Sequence, residues 1–335
     1  MNYHTTAKML TDVKQQAETA FLNEVSSVVL QQALRNLDAA FTNFFEKRAE
    51  YPNFKRKHGH NAARYALNAF TMKDGQITLA KHNEPLEISW SRPLPKDANA
   101  VSVTVSKDRT DRYFISILVE TTVRPLKKGT TTIGIDVGLK DLAVCSDGQR
   151  LPNPRWIKKR ERRLKMRQRR LSRAQKGSSN RDKARKQVAQ IYAQVADARH
   201  DYWHQFTTKI IRENQAIFVE GLNVAGMLKN HCLARDISNA AWGEMFRQLE
   251  YKAAWYGREY LELDRFFPSS KLCSACGHLL VKLPLSVREW DCPNCAAHHD
   301  RDINGAVNLK LAGQHLLQTT ESGARKVTPS RHQKR

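Results

Sequence analysis

Four cysteines in the C-terminal part of the chain form two pairs, and two residues separate the members of each pair. The positions are Cys273, Cys276, Cys292 and Cys295. This spacing lets both thiolates of a pair face one ion, and the spacer between the pairs lets the second turn close a tetrahedral four-thiolate site. We therefore predict one structural Zn²⁺. Because thiolates fill all four positions, no open position remains for substrate or water, and the chemistry must lie elsewhere.

Disulfides are the alternative explanation for these cysteines. The sequence shows no apolar signal segment, and its two other cysteines, Cys145 and Cys232, are isolated. A reducing, cytoplasmic compartment is therefore expected. Several histidines lack a partner spacing that would make them further zinc ligands, and they are assigned no role: His231, His298, His299 and His315.

Three carboxylates lie beside apolar segments, which is unusual unless something satisfies their charge. Asp136 follows the apolar residues 132–135, Glu220 ends the apolar residues 216–219, and Asp302 follows the cysteine pairs. Individually, such acids are more often caps or surface residues, because burying an unpaired carboxylate is costly. Together, three hard oxygen donors from distant segments are what two divalent cations need to hydrolyse a phosphodiester.

The net charge indicates a polyanionic partner. The chain has 56 Lys and Arg against 33 Asp and Glu, a net charge of +23. An excess of this size favours nucleic acid, with a steep dependence on salt. No apolar stretch has the length needed to cross a bilayer, and 335 residues suffice for about two domains.

Much of the positive charge lies in residues 155–186, which contain sixteen Lys and Arg against Glu161 and Asp182. Apolar residues at heptad spacing predict a first helix there, Gly177 ends it, and a second helix follows, so that residues 155–212 form a basic helical hairpin. A solvated helix face is the alternative, but the charge density favours phosphate contact. The candidate nucleic-acid-binding residues are Lys158, Arg162, Lys165, Arg169, Arg173, Arg181 and Arg185.

The N-terminal half shows two other patterns. Residues 24–48 place apolar side chains on one helical face, and the basic residues Lys55, Arg56 and Lys57 follow. Residues 64–120 then alternate between apolar and polar types, which predicts short antiparallel strands in a small barrel or sheet. Four strands are expected, around Ile77 and Leu79, around Leu86, Ile88 and Trp90, around Val101, Val103 and Val105, and from Tyr113 to Val119.

Four segments, taken in order, resemble the TnpB family. They are GIDVGLKDLAV at 134–144, VEGLN at 219–223, SSKLCSACG at 269–277 and DRDINGAVN at 300–308. This family is encoded by insertion sequences of the OrfB type, often described as transposases, and is ancestral to the type V CRISPR effectors. The resemblance covers about residues 24–312. It implies an α/β plus β architecture, with an RNase H-like, RuvC-type nuclease domain that contains the inserted zinc module.

The resemblance also implies roles for the three acids. Asp136, Glu220 and Asp302 correspond to the catalytic residues, with Asp300 as the neighbouring candidate for the last position. Asp302 is preferred because the family places its metal-binding acid two residues before an Asn, here Asn304. Asp136 would bridge two Mg²⁺ ions about 4 Å apart, and cuts would leave 5′ phosphates. An RNA guide transcribed from the element's own end and a short DNA motif beside the target are also implied.

The expected organisation follows the order of these motifs. It comprises a helical N-terminal segment (1–60), an antiparallel β-barrel (61–130), the first part of the nuclease (131–154), the basic hairpin (155–212), the second part of the nuclease (213–270), the zinc ribbon (271–299), the last nuclease helix (300–312) and a disordered tail (313–335).

Three functions are compatible with the sequence. The first is an RNA-guided, Mg²⁺-dependent DNA endonuclease in the cytoplasm of a prokaryotic cell, associated with the nucleoid. Family members usually open with a basic β-strand and a helix, and we expect this chain to begin part-way through that region. The second function is therefore a protein that has lost target engagement and binds guide and DNA without cutting. The third is a strand-transferring transposase, which also uses three carboxylates on an RNase H-like fold. The sequence leaves a homodimer open.

Overall fold

The structure is a computed structural model that describes residues 2–54, 61–95 and 97–322. The predicted basic stretch at Lys55, Arg56 and Lys57 lies outside these residues. The chain divides into two units. Met1–Thr122 and Arg167–Gln190 form the first, and Val123–Met166 and Ile191–Arg335 form the second. No helix among the described residues is long and apolar enough to span a membrane.

The first unit begins with helices. Helix α1 spans Tyr3–Gln15, and a 3-10 segment, Ala17–Glu24, precedes α2 at Ser27–Phe45. The side chain of Asn2 accepts a hydrogen bond from the Thr5 amide at 3.0 Å and so caps α1. The helix predicted within residues 24–48 is confirmed, and Val28 and Val29 at its start pack against the core of the adjoining sheet.

The strands of the first unit form two separate sheets. Strands β1 (Asn61–Ala66), β4 (Asn99–Lys107) and β5 (Tyr113–Glu120) form an antiparallel sheet in the order β1-β4-β5. Strands β2 (Phe70–Lys73) and β3 (Gln76–Leu79) form a hairpin. Both contribute to one core around Tyr65, Ile77 and Val103.

The expectation of a closed barrel is not confirmed, because the described part of residues 61–120 contains only these open sheets. The strand predicted at Leu86, Ile88 and Trp90 is wrong, since these residues belong to no strand. Three prolines between residues 85 and 95 remove backbone donors that a ladder would need. Leu86 and Ile88 nevertheless pack against the core of the first unit.

Two long helices carry the basic residues. Helix α3 spans Trp156–Arg173 and α4 spans Ser179–Glu213. They run antiparallel, since the Trp156 ring packs edge-on against Tyr202 and the Arg167 guanidinium donates to Gln187 at 2.7 Å. This confirms the predicted helical hairpin. Its tip, within Arg167–Gln190, belongs to the first unit, and its base belongs to the second.

A five-stranded mixed sheet is the centre of the second unit. Strands β6 (Thr132–Asp136), β7 (Asp141–Cys145) and β8 (Arg150–Pro152) are joined as an antiparallel meander. Strands β9 (Ala216–Glu220) and β10 (Glu259–Leu263) lie parallel to β6 on its other side, so that the order is β10-β9-β6-β7-β8.

Both faces of this sheet are covered, which explains why β6 and β9 carry no alternating polar residues before their terminal acids. Short helices α5 (Val224–Met227) and α6 (Ala234–Ala240) precede α7 (Trp242–Tyr256). Residues of α4 and α7 share a buried core with Ile217 and Val219 of β9. The alternate residues of β9, Ala216 and Phe218, are buried with Leu309 of the last helix.

The last helix, α8, spans Arg301–Ser322 and lies directly on β6. At Gly134 there is no room for a side chain, because an added Cβ would collide with the backbone of Ala306. Glycine is therefore required for this close approach. The helix also continues past Gly313, so the tail expected to be disordered from residue 313 is helical through Ser322; residues 323–335 lie outside the described chain.

Candidate carboxylate and metal sites

The fold brings Asp136, Glu220 and Asp302 to one place. Asp136 and Glu220 are the last residues of the adjacent parallel strands β6 and β9, where Ile135 pairs with Val219, so both acids emerge at the same sheet edge. Asp302 lies in the first turn of α8. One turn further, Gly305 faces Asp136, whose Oδ2 would lie 3.5 Å from a Cβ at that position.

The electrostatics of the three acids favour a bound cation. Burial raises the pKa of Asp136 to about 8, and the negative charges of Glu220 and Asp302 add to this effect. Burial also raises the pKa of Glu220. Carboxylates that are pushed toward the neutral form by burial and by each other become ionised when a divalent cation supplies the missing positive charge. Oxygen donors of this kind suit Mg²⁺.

The three carboxylates are spaced more widely than the ligands of a single-ion cage. Among the described residues, the groups whose donor atoms all lie within 4.8 Å of one another are the four cysteines and a separate cluster of two histidines and one glutamate. The three acids do not meet this spacing. Acids that flank two ions need not approach each other as closely as acids that enclose one.

Asp300 and Asp302 have different surroundings. Asp300 Oδ1 accepts the Asp302 and Ile303 amides, both at 3.0 Å, so Asp300 caps α8, and its Oδ2 accepts from Arg150 at 2.7 Å. Burial alone would raise its pKa, but the Ile303 amide and the Arg150 guanidinium together lower it. The negative charge of Asp302 acts on Asp136, and its two carboxylate oxygens lie 3.4 Å from Arg288 and 4.0 Å from Arg150. Arg150 and Arg288 were not expected from the sequence.

The four cysteines have the spacing of a tetrahedral metal site. The Cys273 and Cys295 sulfurs are 3.7 Å apart, and the Cys276 and Cys292 sulfurs are 3.6 Å apart. Four sulfurs bound to Zn²⁺ at 2.3 Å would be about 3.8 Å apart. All four cysteines are free of disulfides. Their cluster could hold one metal ion.

Tight backbone turns place these sulfurs. The Gly277 amide donates to the Cys273 carbonyl at 2.9 Å, and the Ala296 amide donates to the Cys292 carbonyl at 2.8 Å. Gly277 and Ala296 both have a positive φ, 75° and 56°, as such turns require. The pKa of Cys276 is lowered, chiefly because the Asn294 side-chain amide donates to its sulfur. The Ala297 amide acts in the same direction on Cys295, but hydrogen bonds with the neighbouring thiols raise the pKa of Cys295.

His299, which the sequence analysis left without a role, contacts this cluster. It lies on β12 (His298–Asp300), which pairs with β11 (Glu289–Asp291). Its Nε2 lies 3.0 Å from the Cys273 sulfur, and its ring packs on Trp290 with centroids 4.6 Å apart. Nothing in its spacing from other histidines could have revealed this contact, because its partner is a thiol across the module.

Two asparagines of α8 connect the cysteine module to the carboxylates. Asn308 donates to the carbonyls of Ser269 and Leu272 at 2.8 and 2.6 Å, and Asn304 also donates to Leu272 at 2.8 Å. The side-chain oxygen Oδ1 of Asn304 accepts a hydrogen bond from the Ser274 backbone amide at 3.0 Å. The segment that enters the module is thereby attached to the helix that carries Asp302.

Six of the seven candidate nucleic-acid-binding residues are exposed: Lys158, Arg162, Lys165, Arg169, Arg173 and Arg185. Two of them form ion pairs, Lys165 with Glu161 and Arg185 with Asp182, both at 3.3 Å. Arg181 differs, because its guanidinium donates to the carbonyls of Leu171 and Ala174 at 3.1 and 3.0 Å. It therefore satisfies the end of α3, where backbone carbonyls lack intrahelical donors.

Two family models match the chain. One, OrfB_IS605, is described as "Probable transposase" and matches residues 114–231. The other is described as "Cas12f1-like, TNB domain" and matches residues 242–309. The two matches lie consecutively and together contain the three carboxylates, the basic hairpin and the four cysteines.

Solved structures include a similar fold. The chain aligns with a chain of the "Cryo-EM structure of the Cas12f1-sgRNA-target DNA complex" at a TM-score of 0.53 and 16% identity, over 92% of this chain and 79% of that one. At this identity the likeness establishes the fold alone.

Curated relatives are similar over most of their length. A protein of Streptomyces pristinaespiralis named "Putative RNA-guided DNA endonuclease" is 51% identical over 314 residues, which cover 93% of this chain and 78% of that protein. "Putative RNA-guided DNA endonuclease InsQ" of Escherichia coli (strain K12) is 31% identical over 335 residues, which cover 94% of this chain and 81% of that protein. With the matching OrfB model, these relatives establish that the chain belongs to the TnpB family.

Proposed function

We propose that the chain is an RNA-guided, Mg²⁺-dependent DNA endonuclease of a transposable element, with Asp136, Glu220 and Asp302 as its catalytic residues. The main support is the convergence of these three carboxylates at one sheet edge. Burial and mutual repulsion destabilise their negative charges, and a bound cation would stabilise them. Membership of a family whose relatives bear the name of RNA-guided DNA endonuclease supports it.

The nuclease domain is proposed to be RNase H-like and of the RuvC type. Support comes from the strand order β10-β9-β6-β7-β8, in which an antiparallel meander continues into two parallel strands. In this arrangement, the first strand of the meander lies at the centre of the sheet and ends in Asp136. The cysteine module would enter this domain immediately before Asp302 and hold one structural Zn²⁺.

The protein's own residues would prepare the site in three ways. Ionised Asp136, Glu220 and Asp302 would hold two Mg²⁺ ions, which, when bound, activate water and stabilise the leaving 3′ oxygen. Asp300 fixes the start of α8 and so orients Asp302. Arg288 is exposed beside Asp302 and would offer positive charge to a DNA phosphate, whereas the Arg150 guanidinium is engaged by Asp141 and Asp300.

The exposed basic residues of α3 and α4 would hold the guide RNA and the target duplex through their backbones. Such contacts fix position without selecting sequence, so base pairing with the guide would supply specificity. Arg181 is excluded from this contact set because its guanidinium is engaged by α3. The guide is proposed to be transcribed from the element's own end, in the cytoplasm of a prokaryotic cell, where the protein would meet nucleoid DNA.

Cleavage of a plasmid library tests the proposal. The target carries randomised flanking bases, and the protein is co-expressed with RNA from its element's end and assayed with Mg²⁺. We expect double-strand cutting by the wild type and by Asp147→Ala, which changes an exposed acid in the turn between β7 and β8. Asp136→Ala should lose more than about 100-fold in rate while it retains RNA binding, because metal ligands matter more than the groups that orient them.

Other outcomes would favour the alternatives. Retained cutting by Asp136→Ala would overturn the assignment of the carboxylates. Guide and target binding by the wild type without cutting would favour the non-cleaving binder, and excision of the element by the protein alone would favour the strand-transferring transposase.

A further inference from the structure

A second cluster of metal-binding side chains lies away from the cysteines and the three carboxylates. His200 and His204 are one turn apart on the same face of α4, and their Nε2 atoms are 3.2 Å apart. Glu244, in the first turn of α7, places its Oε1 3.7 Å from the His200 Nε2. One donor atom from each of the three residues lies within 4.8 Å of the other two.

These distances match a tetrahedral ion. Ligand atoms bound to Zn²⁺ at 2.0–2.1 Å would be about 3.4 Å apart, and the two observed distances lie on either side of that value. Two imidazoles and one carboxylate form a three-ligand set that leaves a fourth position for water or a further ligand. Imidazole ligands favour Zn²⁺, Co²⁺ and Ni²⁺, whereas Mg²⁺ prefers oxygen.

The carboxylate of the cluster is oriented by its neighbours. Arg247 donates to both oxygens of Glu244, at 2.7 and 3.0 Å, and Gln248 donates to Oε1 at 2.9 Å. Hydrogen bonds of this kind commonly orient the carboxylate ligands of metals. Since Oε1 already accepts two bonds, an ion would take the place of one of them, and Gln248 would keep its separate bond to Thr207 at 2.9 Å.

The two helices are fixed relative to each other beneath the cluster. Lys252 of α7 donates to the hydroxyls of Thr207 and Thr208 of α4 at 2.7 and 2.9 Å.

We propose that His200, His204 and Glu244 form a second transition-metal site that binds Zn²⁺ or a similar ion and joins α4 to α7. The bound ion would replace the hydrogen bond between the two imidazoles. Because α4 is also the second helix of the basic hairpin, the ion would hold the base of that hairpin to the helix that covers the nuclease sheet.

Cobalt titration tests this site directly. Full-length protein with one Zn²⁺ per chain, verified by elemental analysis, is titrated with Co²⁺ while the visible absorption is followed. The wild type should bind one further equivalent without a thiolate-to-cobalt band, since no cysteine belongs to this cluster. His200→Gln and His204→Gln should each weaken this binding at least about ten-fold. Both changes alter side chains that are not buried, and circular dichroism verifies folding.

Two controls make the result specific. His231→Gln removes an exposed histidine outside the cluster and should bind Co²⁺ as the wild type does. Glu244→Gln should weaken binding while both imidazoles remain. The proposal is overturned if the folded wild type binds no further equivalent, or if both histidine variants of the cluster bind Co²⁺ as tightly as His231→Gln.

Discussion

The cysteine module and the carboxylate cluster are built in opposite ways. The four sulfurs come from two short turns, and local backbone hydrogen bonds already hold them at nearly tetrahedral spacing. The three acids come from β6, β9 and α8, which are distant in sequence and meet only in the assembled sheet. The proposed zinc site would be prepared for its ion by local geometry, whereas the proposed magnesium site would be prepared by the cost of burying like charges together.

Among the variants that test this difference between the two regions, the replacement of one cysteine should have the largest effect. Cys276→Ser removes a thiolate whose module has only a small core of its own, so we expect zinc content to fall from one per chain to near zero and the module to unfold. Elemental analysis and hydrogen exchange would measure both effects. Cys232→Ser, at an exposed isolated cysteine, is the control. A fully zinc-loaded Cys276→Ser protein would contradict the four-thiolate site.

Substitutions at the two neighbouring acids at the start of α8 test the proposal that Asp302 is catalytic and Asp300 structural. Asp302→Ala should reduce cleavage more than about 100-fold with the melting temperature unchanged or higher, because one of several repelling charges is removed. Asp300→Ala should instead cost about 1 kcal/mol of stability through the lost helix cap and reduce cleavage less. Cleavage rates and thermal melts would measure both, and the reversed pattern would move the catalytic role to Asp300.

The link between the two regions can be tested at Asn308. This buried residue donates to two carbonyls of the segment that enters the cysteine module, so Asn308→Ala should cost roughly 1–3 kcal/mol and weaken zinc retention against a chelator. Gln314→Ala, on the same helix, loses a bond to Thr132 instead and should retain zinc normally. Equal zinc retention by the two variants would mean that the module is independent of α8.

The smallest expected effect is a pH dependence. The folded protein raises the pKa of Asp136 from 3.8 to about 8 and so binds this proton more tightly than the unfolded chain does. The corresponding stability is complete below about pH 3.8 and is lost as the pH rises through about 8. In Mg²⁺-free buffer, the melting temperature should therefore fall further in the wild type than in Asp136→Asn over this range. Added Mg²⁺ should remove the difference, and parallel curves would refute the raised pKa.

Sequence alone predicted the local features well. The spacing of the cysteines, the helix periodicity of α2, α3 and α4, and the apolar runs of β6 and β9 all depend on residues close to one another in the chain. The barrel was not confirmed because the alternation at Leu86 and Ile88 indicates only that these side chains pack on a core. A segment that makes a single backbone hydrogen bond to β3, from the Leu86 amide to the Ile77 carbonyl, also shows this pattern.

Long-range partners were beyond sequence reasoning. Arg181 looked like any other basic residue of the hairpin, and only the fold shows its guanidinium at the carbonyls of α3. The close spacing of His200 and His204 was visible in the sequence, but Glu244 lies on another helix and nothing in the pattern connects it to them. The roles of Asn304 and Asn308 likewise depend on carbonyls across the module.

The dependence of the carboxylate cluster on α8 has a consequence for synthesis. Gly134 of β6 leaves room for the backbone of α8, which is synthesised long after that strand. The same helix carries Asp302, the third acid. A nascent or prematurely terminated chain can therefore expose its basic hairpin to nucleic acid but cannot complete the acidic triad. This order of assembly would delay the meeting of the three acids until α8 has been synthesised and packed on β6.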